Sequence, residues 1–337
     1  MIIDVHCHHL AFCAENGGYI HPKFGTGFRA SAYLNTLGIL NWREAYLSSR
    51  RDRQRIDEKY RQLLVARVEE SELDHAVILA FDSVYDSKGL PDYARTPKCV
   101  SNKATAALCR ASRKLLFGGS VNPYRRDAMD ELEYCLQEGA VLIKWLPNVM
   151  GFDPADPHNL PFYDRVRQAQ IPLLIHIGIE YALPNIDMRF AGLDRLEAVL
   201  KTGVTVIAAH CCGGKPFRED YTHFAEMSRL VQEYPNLYLD VSGMAAAHRK
   251  PRLLTSIGDA VVQKRLVYGS DYPVPLHPWA FGRELRRAGV KRKDLSRNYF
   301  DRDIAIKRAC GLPEEAFGRG YTPLMPRLTK PRIVEAL

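Results

Sequence analysis

The sequence of 337 residues lacks the paired cysteines and long apolar runs that mark several protein classes. None of its eight cysteines forms a Cys-x-x-Cys pair, which argues against a zinc ribbon, and a chain of this size needs no disulfide scaffold. No apolar stretch approaches the roughly 18 residues of a membrane-spanning helix. No Gly-x-Gly-x-x-Gly motif and no low-complexity segment is present. These absences favour a globular protein without a membrane partner.

The beginning of the sequence also lacks the features of a secretory signal. It enters an apolar strand at Ile2 without a basic region, a hydrophobic region or a cleavage site. We therefore expect a cytoplasmic protein. Hydrophobic residues make up 46% of the chain and charged residues 26%, so a large buried core can form. We expect one domain over residues 1–337.

The net charge of +8 is concentrated in two segments, Arg43–Arg67 and Arg283–Arg308. In the first, Ile56, Tyr60 and Leu64 follow one another at helical spacing. We interpret both segments as solvated faces of amphipathic helices, with steering of an anionic small molecule as the alternative. No nucleic-acid-binding motif accompanies the charge, so we expect no nucleic-acid partner.

Eight short apolar segments alternate with stretches long enough for a helix and two loops. They are Ile2–His8, His75–Phe81, Leu115–Val121, Ala140–Leu146, Pro172–Ile177, Val204–His210, Leu237–Val241 and Arg265–Gly269. Strands that alternate with helices at this spacing predict βα units and a parallel sheet. Eight units without a dinucleotide-binding motif favour a closed (β/α)₈ TIM barrel of the α/β class over a doubly wound sheet.

Two regions do not fit the repeating βα unit. An insertion over about residues 10–72 separates the first two predicted strands and includes a long charged helix near Trp42–Glu70. Its arginines could form a lid that pairs with a substrate carboxylate. A C-terminal extension over about residues 311–337 is rich in proline and glycine. We expect it to wrap the barrel or contact a partner subunit, and we predict a homodimer or higher homo-oligomer.

The first predicted strand carries a His-x-His pair, His6 and His8, near its end. Residues two apart in a strand point to the same side, so both histidines can bind one metal ion while Cys7 faces the outer layer. The C-terminal ends of barrel strands are also where barrel active sites lie. Alone, such a pair is weak evidence for a metal site.

Three more polar side chains lie where apolar strands end. His176 ends the fifth predicted strand, His210 ends the sixth, and Asp271 follows the eighth. An unpaired imidazole or carboxylate at such a position costs several kcal/mol of desolvation. A divalent ion would satisfy all of them, because imidazole nitrogens and carboxylates are suitable ligands. The sequence therefore predicts a metal site at the barrel mouth.

These five residues, in this order along the chain, resemble the metal centre of the amidohydrolase superfamily. The segments Gly269–Pro273 and His210–Gly214 are most similar to the amidohydrolase-2 branch, which includes aminocarboxymuconate-semialdehyde decarboxylase, resorcylate decarboxylases and lactone hydrolases. The sequence departs from that branch in two ways. Cys211 and Cys212 stand where relatives often carry glycines, and the last helix lacks a Gly-Asn-Ala signature. Both departures bear on the substrate more than on the metal.

The resemblance implies that His6, His8, His176 and Asp271 hold one divalent ion, with Zn²⁺ favoured and Mn²⁺ as the alternative. It also implies two catalytic residues. His210 would act as general acid/base or polarise a carbonyl, and Asp271 would also transfer a proton. The alternative for His210 is a second metal ligand or a partner that orients one.

Several further positions are candidate substrate contacts. Lys144, near the end of the fourth predicted strand, has three possible roles: a carboxylated bridge to a second metal, a substrate-facing ammonium, or a structural ion pair. Glu180, Tyr181 and His248 lie on loops above the predicted pocket. Asp240, on the seventh predicted strand, either orients a ligand histidine or caps local backbone.

The reaction implied by the resemblance is hydrolysis, with metal-activated water attacking a C–O or C–N bond of a small carbonyl compound. The alternative is a metal-dependent non-oxidative decarboxylase (lyase) of a small cyclic or unsaturated carboxylic acid, built on the same site. An arginine pair placed to grip a substrate carboxylate would favour the lyase. A catalytically silent binding barrel is disfavoured, because all five residues of the predicted metal site are present.

Overall fold

The computed structural model describes residues 1–23, 53–180 and 182–329. Eight strands form one parallel sheet: β1 Ile3–His8, β3 His75–Leu79, β5 Leu115–Gly119, β6 Leu142–Trp145, β7 Leu173–His176, β8 Val206–Ala209, β9 Leu237–Asp240 and β10 Leu266–Val267. They are neighbours in this order along the sheet. Two further strands, β2 Gly18–Ile20 and β4 Lys98–Val100, form an antiparallel ribbon.

The two edges of the eight-stranded sheet meet between β1 and the segment around β10. The amide of Val5 donates to the carbonyl of Tyr268 at 3.1 Å, and the amide of His8 donates to that of Tyr272 at 2.8 Å. These bonds close the sheet into a (β/α)₈ TIM barrel, as the sequence predicted. Each of the eight predicted strands is confirmed, and each is shorter than its apolar segment, because the apolar residues run on into loops at the strand ends.

Helices follow the strands around the barrel. Their bounds are α1 Arg53–Glu69, α2 Asn102–Cys109, α3 Ala128–Gln137, α4 Pro147–Met150, α5 Leu160–Ala169, α6 Leu193–Lys201, α7 Tyr221–Glu233, α8 Lys250–Gly258, α9 Ala260–Gln263, α10 Gly282–Arg287, α11 Tyr299–Ala309, α12 Glu314–Arg319 and α13 Tyr321–Leu328. In α1, Ile56, Tyr60 and Leu64 are buried, as their helical spacing predicted. The rest of the helix predicted near Trp42–Glu70 lies outside the described residues.

Side chains on the barrel strands alternate between two apolar layers. On β3, for example, Val77 and Leu79 belong to the cluster inside the barrel, whereas Ala76 and Ile78 belong to the layer between barrel and helices. This alternation is the two-residue period of a β-strand. On other strands, the same alternation places polar residues at inward-facing positions near the C-terminal end, next to the interior cluster.

A β-bulge changes this alternation in β1. Val5 belongs to the interior cluster, Cys7 belongs to the outer layer, and the register with β3 shifts between Asp4 and Cys7. Bulges bend a strand and re-aim its side chains, often next to active sites. Here the shift allows His6 to face inward directly after Val5. His8 then follows on the same side, as the His-x-His spacing predicted.

The C-terminal extension lies against the other end of the barrel. Tyr321 and Leu324 of α13 join the interior cluster, next to residues at the start of β1. Gly320, between α12 and α13, fits closely there, because a Cβ atom at this position would lie 2.7 Å from Cγ1 of Val5. The extension therefore contacts the barrel at the end opposite to the histidines, and its two helices were not predicted from the proline-rich sequence.

All eight cysteines are free thiols, and six of them are buried. Among residues 1–23, 53–180 and 182–329, no helix is both long enough and apolar enough to cross a bilayer.

Candidate metal centre

Three of the four predicted metal ligands meet at the mouth of the barrel. The Nε2 atom of His8 lies 3.2 Å from Oδ1 of Asp271, and Nε2 of His6 lies 3.6 Å from the same oxygen. The two Nε2 atoms are 3.3 Å apart. The three donor atoms thus lie within 4.8 Å of one another, a spacing at which one cation can contact all of them.

His176, the fourth predicted ligand, lies beside this group but not within it. Its ring centroid is 5.1 Å from that of His210. Its Nε2 atom is buried and has no hydrogen-bond partner among the described residues, and Oε2 of Glu180 lies 3.8 Å from it. A buried nitrogen without a partner is costly, and a metal ion is one way to satisfy it. His176 therefore fits the predicted ligand set by its chemistry.

The protonation states also suit a divalent ion. Burial lowers the pKa of His8 to about 3 and that of His176 to about 4, so both imidazoles are neutral at pH 7. Burial would raise the pKa of Asp271, but the imidazoles of His210 and His8 hold it well below its usual range. Neutral imidazoles and an ionised carboxylate are the ligand forms that Zn²⁺ requires. The residues present fit the metal that the sequence implied.

Asp240 hydrogen bonds to two of the histidines, His6 and His210. Its Oδ2 atom lies 2.8 Å from Nδ1 of His6, and its Oδ1 atom accepts a hydrogen bond from the backbone amide of His210 at 2.8 Å. Both roles considered for this residue, orienting a histidine and capping backbone, are therefore present. A carboxylate on Nδ1 fixes the tautomer of His6, so that its Nε2 lone pair faces His8 and Asp271.

Ser242 fixes the second histidine of this pair. The carbonyl oxygen of Ser242 lies 2.9 Å from Nδ1 of His210, which donates to it. Its hydroxyl lies 2.9 Å from Nδ1 of His6 and donates to Asp240. Ser242, which lies two residues beyond the end of β9, was not predicted from the sequence. His210 is consequently held with Nε2 as its unprotonated nitrogen.

The two predicted catalytic residues lie in left-handed backbone conformations. His210 has φ = 54° and Asp271 has φ = 64°, and Cys211 and Cys212 follow His210 with φ of 47° and 57°. Non-glycine residues rarely adopt this region, and such outliers concentrate at functional sites. The conformation explains why glycine suits positions 211 and 212. In this chain the two cysteine side chains are buried in the outer apolar layer.

Lys144 lies deep in the barrel directly below the histidines. Its Nζ atom is 3.2 Å from Nε2 of His6, and it forms no ion pair with any residue that the structure describes. The ion-pair role considered for Lys144 is therefore not seen in that part of the chain. Burial lowers its pKa to about 8, against the opposing charges of Asp240 and Asp271. The bridging and substrate-facing roles both remain predictions.

The other predicted substrate residues are less closely associated with the cluster. Glu180 uses Oε1 to accept the amide of Leu183 at 3.1 Å, while its Oε2 approaches His176. Tyr181 lies outside the described residues. His248 is half-buried on the rim, where its ring lies 6.2 Å from that of Phe217. The structure thus places Glu180 beside the predicted ligand His176, and His248 at the periphery.

Arg249, which was not predicted from the sequence, directly contacts Asp271, one of the predicted metal ligands. Its Nη1 atom lies 3.3 Å from Oδ2 of Asp271. Gly243 makes room for this contact, because a Cβ atom there would lie 2.5 Å from both Nη1 of Arg249 and Oδ2 of Asp271. No sequence signal distinguishes Arg249 among the 47 lysines and arginines of the chain. The contact leaves Oδ1 of Asp271 facing His6 and His8.

A closed βα barrel that gathers histidines and an aspartate at the C-terminal ends of its strands belongs to the class of metal-dependent barrel enzymes. The family model described as "Amidohydrolase" matches residues 3–302, so the chain belongs to the amidohydrolase family, branch 2. This confirms the resemblance found in the sequence. The family consists of metal-dependent enzymes, with hydrolases and decarboxylases among them.

Solved structures with the same fold are distant in sequence. An uncharacterized TIM-barrel protein from Bordetella bronchiseptica is 17% identical, with a TM-score of 0.57 over 92% of this chain and 99% of the other. A putative 2-pyrone-4,6-dicarboxylic acid hydrolase from Pseudomonas putida is 13% identical, with a TM-score of 0.54 over 96% and 97%. Both likenesses show the shared barrel fold. Among curated proteins, no sequence matches this chain significantly.

Proposed function

We propose that the protein is a metal-dependent hydrolase that cleaves a C–O or C–N bond of a small carbonyl compound. In this proposal His6, His8, His176 and Asp271 hold one divalent ion, with Zn²⁺ favoured. The observation that carries it is the convergence of Nε2 of His6, Nε2 of His8 and Oδ1 of Asp271 within 4.8 Å. The unpartnered Nε2 of His176 beside them supports the fourth position.

The chemistry of the ion would be to lower the pKa of a water molecule towards ~7 and to polarise the substrate carbonyl. The protein's own contribution is to keep the donor atoms in place and in the correct protonation state. Asp240 holds His6 through Nδ1, and Arg249 holds Asp271 through Oδ2. Each ligand is thereby left with one donor atom directed at the common point.

His210 is the residue best placed to move a proton. Its Nδ1 hydrogen is committed to the carbonyl of Ser242, so Nε2 carries the lone pair. Burial lowers its pKa well below the usual range, which keeps the imidazole neutral with the Nε2 lone pair unprotonated. It would take a proton from the attacking water and return it to the leaving group. Asp271, with Oδ2 at 3.8 Å from Nδ1 of His210, is the second candidate for proton transfer.

The decarboxylase alternative uses the same ligands and would add a grip on a substrate carboxylate. The arginine pair that would favour it is not seen in residues 1–23, 53–180 and 182–329, where Arg249 is bound to Asp271. A panel of lactones, esters, amides and unsaturated carboxylic acids, assayed with zinc-loaded protein, separates the reactions. Release of titratable acid without CO₂ supports hydrolysis, whereas release of CO₂ establishes the lyase.

The role of His210 has its own test on whichever substrate is found. His210→Asn should lower kcat by about 10²- to 10⁴-fold, the usual contribution of a general acid/base, while the protein keeps its metal. His158→Asn is the matched control, because His158 is exposed and lies outside the site. Loss of metal from His210→Asn would instead identify His210 as a ligand.

Location, assembly and substrate type remain proposals. We propose that the enzyme is cytoplasmic, acts on a small molecule and assembles as a homodimer or larger homo-oligomer. Light scattering coupled to size-exclusion chromatography measures the assembly directly, and a monomer at micromolar concentration would contradict it.

A further inference from the structure

Lys98 is a partly buried cation without a protein partner in the described structure. It lies on β4, where its backbone pairs with Ile20 of β2. Its Nζ atom lies 5.1 Å from the centroid of the Phe81 ring, and it forms no hydrogen bond or ion pair with any described residue. Lysines that lose solvent are nearly always paired, because an uncompensated buried ammonium is costly. Its charge is thus available to a ligand.

The β2–β4 ribbon that carries Lys98 lies beside the proposed metal ligands. Val100 of β4 exchanges two backbone hydrogen bonds, of 2.8 and 3.0 Å, with Phe81, which follows barrel strand β3. Burial lowers the pKa of Lys98, and the carboxylates of Glu180 and Asp271 act against that shift. Lys98 is therefore within electrostatic range of the proposed ligands, on the side of β1 and β3.

The charges around the cluster point to an anionic ligand. Three carboxylates and three cations lie at or around the proposed ligand site in the described structure, one of them the proposed ligand Asp271: Asp240, Asp271, Glu180, Lys98, Lys144 and Arg249. These charges cancel, so a bound divalent ion would leave the site with an excess of positive charge. Because the site is partly desolvated, this excess of positive charge attracts an anion more strongly than the same charges would in bulk water.

The three cations differ in what they already contact. Arg249 is bound to Asp271, and Lys144 lies against His6. Among the described residues, the Lys98 ammonium lies over the face of Phe81 and forms neither a hydrogen bond nor an ion pair, so a bound anion displaces no polar partner. An ammonium on a flexible stem is a point charge that can bind one carboxylate oxygen without a fixed approach direction. Lys98 is consequently the cation of this set that is free to bind substrate.

We propose that Lys98 anchors a carboxylate of the substrate and so determines that the enzyme accepts acidic compounds. The proposal rests on the proposed function, because it places the substrate between the β2–β4 ribbon and the metal ligands. It assigns to a lysine of the ribbon the role that the sequence analysis gave to arginines of the insertion. It also predicts that neutral analogues of the true substrate bind weakly.

The test compares a carboxylate with its neutral isostere. Benzoate and benzamide are titrated by ligand-observed NMR into zinc-loaded protein and into protein kept metal-free with chelator. The variants are Lys98→Met, which keeps the alkyl stem against Phe81, and Lys98→Arg, which keeps the charge. Lys88→Met is the matched control, because Lys88 is exposed on the loop before β4. Metal content of every sample is measured by mass spectrometry.

The expected result is that benzoate binds wild type, Lys98→Arg and Lys88→Met within about threefold of one another, and Lys98→Met at least tenfold more weakly, in line with the loss of a charged contact. Benzamide should not distinguish the variants. Equal benzoate affinity of Lys98→Met and wild type would overturn the proposal, as would failure of wild type to bind benzoate. The metal-free samples test the contact between benzoate and Lys98 without zinc. The proposed function is tested separately by the metal content, because it fails if the protein binds no zinc.

Discussion

Asp240 lies 2.8 Å from Nδ1 of His6, on the side of the ring opposite to the nitrogen that faces His8 and Asp271. Both residues are fully buried. A carboxylate behind a histidine in this way directs the lone pair of the other nitrogen and makes it a better metal ligand. The relationship links β9 to β1, which lie two strands apart around the closed barrel, and holds the His6 ring with Nε2 directed at His8 and Asp271.

Asp240→Asn should therefore weaken metal binding. The amide cannot hold the Nδ1 hydrogen of His6 with a full negative charge, so zinc affinity should fall by about 10- to 100-fold. Competition with a chromophoric chelator measures the affinity. Asp127→Asn, on the surface, is the control and should bind zinc as wild type does. Unchanged affinity of Asp240→Asn would mean that Asp240 serves only the backbone around His210.

Gly243 provides a test of the contact between Arg249 and Asp271. Gly243→Ala adds a Cβ atom 2.5 Å from both side chains, so it should push them apart and lower activity at least tenfold. Gly289→Ala is the matched control, because Gly289 also has positive φ, 73° against 63°, but has no atom within 4 Å of the added Cβ. Both variants should lose about 1–2 kcal/mol of stability from the backbone conformation. Equal activities of the two variants would contradict a role for the contact.

Asp271→Asn should separate chemistry from folding. The variant keeps the shape of the side chain but loses the charge that faces His8 and His6, so activity should disappear. Thermal unfolding should stay within a few degrees of wild type, because the backbone hydrogen bond from the Asp271 amide to His6 is retained. Calorimetry and steady-state kinetics measure the two effects. Unfolding of the variant at room temperature would indicate a structural role instead.

Buried histidines should make the metal-free protein acid-sensitive. Burial lowers the pKa of His9 to about 3, and its Nδ1 atom lies 3.0 Å from the hydroxyl of Thr105. An unfolded histidine takes up a proton below about pH 6.5, whereas folded His9 stays neutral, so stability falls as the pH drops from 6.5 towards 3. His9 should contribute about 1 kcal/mol per pH unit in this window.

Denaturant unfolding at several pH values, in the presence of chelator, measures this dependence. His9→Gln should reduce the slope between pH 6.5 and pH 4, while His158→Gln, at an exposed position, should leave it unchanged. A slope that is the same in all three proteins would show that His9 does not resist protonation.

Much of the fold and part of the site could be predicted because they depend on periodic patterns. The eight apolar segments predicted the barrel, and the strand-end positions of His6, His8 and Asp271 predicted their meeting point. The β-bulge in β1 could not be foreseen, because nothing in Asp4–Cys7 differs from a regular strand. The pattern still predicted that both histidines share one side, since His6 and His8 keep the two-residue spacing of a strand.

The residues that were missed reach the site from outside the repeating pattern. Arg249 comes from the loop after β9, and Lys98 comes from a ribbon whose three-residue strands are too short to leave a periodic signal. Their contacts depend on how loops fold over the barrel mouth, which local sequence does not specify. Helix α13 was missed for a different reason, because Pro323 and Pro326 argue against a helix that packing against the barrel nevertheless stabilises.

The most direct test of the account is the metal content of wild type and His176→Ala, with His158→Ala as control. Each protein is stripped with chelator, reloaded with zinc, passed through a desalting column and measured by inductively coupled plasma mass spectrometry. We expect one zinc per chain in wild type and in His158→Ala, and at least tenfold less retained zinc in His176→Ala. Wild-type protein that retains no zinc, or His176→Ala that retains as much as wild type, would contradict it.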